Sequence, residues 1–125
     1  MPETPVQVTI TLSAPELKDQ ELQDAVQNLQ LEAQEVDGVE EASLIAREEV
    51  PEGAKSLGGF LLDKFKALVE LKKLPNLIKT LAARLIGNQI IEVKAEGKGK
   101  KLEIKISNPK DLPEIMLEVN KFIDS

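Results

Sequence analysis

Polar and apolar positions alternate at the start of the chain, where Val6, Val8, Ile10 and Leu12 are separated by Gln7, Thr9 and Thr11. A period of two is the pattern of a strand with one buried face. Ser13-Ala14-Pro15-Glu16 then reads as a helix start, with Ser13 as cap, Pro15 in the first turn and Glu16 completing a capping box. Leu22, Ala25, Val26, Leu29 and Ala33 follow at helical spacing, and Asp37-Gly38 breaks the pattern. Val39 to Ala46 supplies a second strand around Ala42, Leu44 and Ile45.

Beyond a polar, glycine-containing stretch, Phe60, Leu61, Phe65, Leu68 and Val69 form a stripe that predicts a second helix, ended by Lys72-Lys73-Leu74-Pro75. Pro75 opens a third helix carrying Leu77, Ile78, Leu81, Leu85 and Ile86, with Gly87-Asn88 as its stop. Ile91, Val93 and Ala95 define one face of a third strand. Gly97-Lys98-Gly99-Lys100 is a tight turn, and Leu102, Ile104 and Ile106 alternate with charged residues in a fourth strand. Asp111-Leu112-Pro113-Glu114 opens a last helix that buries Leu112, Ile115, Met116, Val119 and Ile123. The predicted order is β-α-β-α-α-β-β-α. It implies a single α+β domain over residues 1–125, with a four-stranded mixed sheet and helices packed mainly on one face.

Composition narrows the chemistry. The 125 residues include no Cys, His, Trp or Tyr. Thiol nucleophiles, zinc-thiolate sites, histidine-based triads and most transition-metal sites are thereby removed, and no cofactor is expected. The absence of cysteine and of a basic start followed by an apolar run predicts a cytoplasmic protein. Residues 1–52 hold 13 acidic and 2 basic side chains, a net of −11, whereas residues 53–125 carry +5. Such polarity suits a charged partner surface.

Three groups of residues invite a functional reading. Gly53-Ala54-Lys55-Ser56 has the context of a phosphate-binding loop, but Ala54 and Glu49 stand where that loop needs glycine. The adjacent pairs Glu40-Glu41 and Glu48-Glu49 point to opposite faces of any strand, so neither forms a cation site. Lys94, Lys98, Lys100, Lys101 and Lys105 gather on the last hairpin as a basic patch. The overall acidity and the lack of stacking aromatics argue against nucleic acid there, and edge lysines discourage aggregation. Lys64, Lys66, Glu70, Lys72, Lys73 and Lys79 interrupt the apolar middle, so no transmembrane segment is expected.

The stretches TLSAPE, VDGVEEASL and PEGAKS, in this order and with a basic hairpin and helix after them, resemble the first type of the effector-associated constant component family. The resemblance covers nearly the whole chain and is sharpest at Pro51-x-Gly53-Ala54-Lys55. Ser56 departs from it, standing where members often place glycine, and the middle is richer in lysine than the near-membrane-like segment of many members. The family consists of small bacterial proteins encoded beside effectors and NTPases in conflict (immunity-like) systems. The resemblance implies a non-enzymatic adaptor or regulator acting with a peptidase, a caspase-like effector or an NTPase. It brings no catalytic residues. The expected docking segment is Pro51, Gly53, Lys55, Leu57, Gly58, Gly59 and Phe60 with the adjoining helices. A small-ligand or nucleotide sensor, and an acidic antitoxin-like inhibitor of a basic enzyme, are the alternatives; homo-oligomerisation is compatible with each.

Overall fold

The computed structural model describes residues 5–14, 16–44, 64–85, 88–97 and 99–124. Five strands form one sheet: β1 (Pro5–Ser13), β2 (Val39–Leu44), β3 (Lys64–Glu70), β4 (Ile90–Gly97) and β5 (Lys100–Ile106), in the order β2-β3-β1-β4-β5. All four neighbouring pairs are antiparallel. Three α-helices are described: α1 (Asp19–Glu35), α2 (Leu74–Ala83) and α3 (Leu112–Asp124). The α+β class follows the sequence pattern. The strand number, the mixed sheet and the element order do not.

The first correction concerns β3. The stripe that predicted a helix through Phe65, Leu68 and Val69 is a strand in which Phe65, Ala67 and Val69 are buried, while Lys66 is exposed and Leu68 half-buried. Ala67 is too small to register as apolar signal, and Leu68 lies on the opposite side of the sheet. The alternation was therefore hidden behind an accidental helical spacing. Inserting β3 also explains why the sheet is purely antiparallel. The β1-α1-β2 crossover steps over β3, and the β3-α2-β4 crossover steps over β1. Two interlocked units of this kind are the split β-α-β (ferredoxin-like) connectivity. Here β5 and α3 extend it at one edge.

Each strand buries one face. Ala42, Ala67, Val8, Ala95 and Leu102 lie in one row across all five strands, and Phe65, Ile10, Val93 and Ile104 lie in the next. The helices cover this side. α1 lies on β2 and β3, α3 lies on β5, and α2 packs against both of the other helices. Val26, Leu29 and Ala33 of α1, Leu74, Leu77, Ile78 and Leu81 of α2, and Ile115, Val119 and Phe122 of α3 complete the core. In β2, Val39 and Glu41 lie opposite the adjacent residues Val69 and Leu68, three residues against two, so Glu40 is the extra residue of a bulge.

Helix α1 starts later than the Ser13–Glu16 signal suggested. Ser13 is held in β1 opposite Ile90, and the Glu21 carboxylate accepts a hydrogen bond from the Lys18 backbone N–H at 3.1 Å. Asn108 caps the short turn before α3, its side chain accepting from the Lys110 backbone N–H, and α3 begins at Leu112, directly after Asp111. Gln30 of α1 is buried and donates to the Ala42 carbonyl at 2.6 Å, tying the helix to edge strand β2. Gln30→Leu removes this hydrogen bond and is expected to cost about 1 kcal/mol in urea unfolding. A loss below about 0.5 kcal/mol would remove the tether from the account.

Candidate interaction surface

The second face of the sheet defines the surface, because its rows face away from the helices. Register places Glu41, Leu68, Gln7, Glu96 and Lys101 in one row; Ser43, Lys66, Thr9, Lys94 and Glu103 in the next; and Lys64, Thr11, Glu92 and Lys105 in the third. Every residue of these rows is exposed or half-exposed among the described residues. The pattern follows from the same alternation that builds the core. Apart from Leu68, the residues of these rows are polar or charged, as suits a face turned to water.

On the β4–β5 side this face neutralises itself. Lys101 lies opposite Glu96, Lys94 opposite Glu103, and Lys105 opposite Glu92, with Lys105 Nζ 3.8 Å from the Glu92 carboxylate. Lys100 belongs to the helix side, where its ammonium donates to the Phe122 carbonyl at the end of α3 at 3.5 Å. A cation there complements the exposed carbonyls of a helix C-terminus. The lysine cluster seen in the sequence is thus three members of a mixed-charge ladder and one helix contact; Lys98 lies outside the described residues. Register, invisible in the sequence, decides this.

The β2–β3–β1 side is different. Lys66 has Ser43 and Thr9 across the ladder and no carboxylate directly opposite. Beside it, half-buried Leu68 stands between Glu41 and Gln7. Gln7, Glu41, Ser43, Lys66 and Leu68 border a groove of about 390 Å³. Pro51, Gly53, Lys55, Leu57, Gly58, Gly59 and Phe60 lie outside the described residues. The described residues on either side of that stretch, Leu44 and Lys64, stand at the same end of two paired strands, with Leu44 opposite Phe65. The groove is bordered by residues of β1, β2 and β3.

The opposite end of the sheet is fixed by contacts that no short motif announced. Gly38, at φ +95°, accepts from the Glu70 backbone N–H at 2.8 Å, and Asp37 forms an ion pair with Lys73 at 3.0 Å. The hydrogen bond to the Asp37 side chain and its negative charge hold the Lys73 ammonium above the ordinary lysine range, with Glu70 acting in the same sense. On the helix side Arg84 pairs with Glu32, next to a groove of about 380 Å³ bordered by Ala25, Leu29 and Leu31. Among the described residues no three His, Cys, Asp or Glu side chains gather as a metal site, and no helix is long and apolar enough to cross a membrane. No family model, curated protein or solved structure matches the chain.

Proposed function

We propose that the chain is a non-enzymatic protein-interaction module that docks a partner on the β2–β3–β1 side of its open sheet face. The observation that carries this reading is the asymmetry of that face. On the β4–β5 side each of Lys94, Lys101 and Lys105 meets a glutamate across the ladder, leaving little net charge to offer. On the other side Lys66 has Ser43 and Thr9 directly across the ladder, with Leu68 and Glu41 beside it. A cation without a directly opposed carboxylate and an apolar contact thus stand together. A central apolar contact with nearby charge is how small interfaces obtain affinity and orientation. The resemblance to effector-associated proteins supplies the partner class: a peptidase, caspase-like effector or NTPase encoded beside this chain. Titration calorimetry against such a purified partner tests the site. Leu68→Lys is expected to weaken binding about tenfold or more while the chain stays folded. Unchanged affinity would remove the groove from the interface.

A small-ligand reading is favoured by one observation, a groove volume within the range of ligand pockets. A thermal-shift panel of nucleotides and other small anions separates the two, since a ligand at a hundredfold excess over its dissociation constant stabilises by about 2.7 kcal/mol. A shift abolished by Lys66→Glu would support the ligand reading over protein docking.

A further inference from the structure

The two edges of the sheet differ, and the difference points to a second copy of this chain. Edge strand β2 has six residues, a bulge at Glu40, and its Ala42 carbonyl already bonded to Gln30. These are features that blunt an edge. Edge strand β5 runs regularly from Lys100 to Ile106, and among the described residues it pairs only with β4. In an antiparallel ladder alternate residues turn both backbone groups away from the neighbour, so among the described residues β5 presents a row of donors and acceptors with no strand opposite them.

From this edge we infer that two copies of the chain associate through antiparallel β5–β5 pairing, with the two-fold axis at Ile104. The sequence of β5 selects that register. Side chains keep to their faces only if the pairing shifts in steps that preserve the period of two. Centring on Glu103 sets Glu103 against Glu103 and Lys101 against Lys105, which is repulsive at every pair of charges on the open face. Centring on Leu102 also sets Lys101 against Glu103 twice, but it places Lys100 opposite Ile104 on the apolar side and brings the Gly99 turn into the ladder. Centring on Ile104 sets Glu103 against Lys105 twice by symmetry, and on the helix side Leu102 against Ile106 and Ile104 against Ile104.

The charges then continue a pattern already present within one copy. Glu92 lies opposite Lys105, which meets Glu103 of the second copy, which lies opposite its own Lys94. Signs alternate across four strands. The result is a continuous ten-stranded sheet whose two open faces lie on the same side, presenting two partner grooves at its outer ends. Isologous pairing of this kind closes on itself, so it yields a dimer rather than a fibre.

Sedimentation equilibrium from micromolar to millimolar protein tests the pairing. The wild-type chain is expected to dimerise. Glu103→Lys and Lys105→Glu alone each create two like-charge contacts between the copies, besides one within each copy against Lys94 or Glu92, and are expected to weaken dimerisation about tenfold or more. Combining them restores opposite charges between the copies, although each copy then sets residue 103 against Lys94 and residue 105 against Glu92 with like sign. The pair of changes is expected to recover part of the dimerisation. A wild-type chain that stays monomeric overturns the inference and leaves the edge to a foreign strand; single variants that dimerise normally overturn it too. Should the charge variants fold poorly by circular dichroism, hydrogen exchange on the wild type decides. Alternate β5 amides are expected to lose protection on dilution, and exchange independent of concentration throughout β5 overturns the pairing.

Discussion

Ala67→Lys is expected to remove most or all of the stability of the fold, while Leu68→Lys, one residue further along, costs about 1 kcal/mol or less. Ala67 is 2% exposed, with Val8 and Ala42 directly across the ladder on either side and the helices above. A lysine there must bury an unpaired charge or force apart the layer, at a cost of several kcal/mol. Domains of this size hold only about 5–15 kcal/mol in total. Leu68 lies on the open face beside Glu41, where a lysine reaches water and an opposite charge. Urea unfolding followed by circular dichroism distinguishes the two. A helix through this segment predicts the reverse order, because Leu68 would then sit in the packed stripe and Ala67 outside it.

Gly38→Ala is expected to cost about 3 kcal/mol, from two separable sources. The backbone at φ +95° disfavours any side chain. A Cβ built there would also stand 2.2 Å from the Lys73 Cβ and 2.3 Å from its Cγ. The Lys73 Cβ is fixed by its own backbone, so the clash cannot be relieved by swinging a side-chain tip. Lys73→Gly empties that space. In its background Gly38→Ala is expected to cost only the conformational part, about 1–2 kcal/mol. A double-mutant cycle by urea denaturation measures the difference. Equal costs in both backgrounds would show that the close approach to Lys73 carries no energy.

The sequence was legible wherever one signal stood alone. β1 and the β4–β5 hairpin alternate without ambiguity, Gly99 adopts the positive φ of a tight turn, and α2 and α3 repeat apolar residues at helical spacing. It failed where two periods fitted equally, as in Phe65–Val69, and where the decisive partner was distant. The bulge at Glu40, the Asp37–Lys73 pair and the Gln30–Ala42 bond all depend on chain segments brought together by the two crossovers. The lysines of the hairpin were found correctly as residues and incompletely as a surface. Charge on a sheet is set by what lies opposite, and Glu92, Glu96 and Glu103 are opposite. Lys66, by contrast, gave no signal in the sequence. Its distinction is the absence of a carboxylate across either ladder, which only the strand order reveals.

That asymmetry makes the open face, rather than the acidic helix side, the place where a partner is expected. Charge reversal on each side separates the two most directly, measured as capture of the products of neighbouring genes by Lys66→Glu and by Glu35→Lys, both confirmed folded. Lys66 is exposed on the sheet, and Glu35 is exposed at the end of α1. Capture lost with Lys66→Glu and retained with Glu35→Lys is the result predicted; capture retained with Lys66→Glu and lost with Glu35→Lys would contradict it and place the partner on the acidic helix.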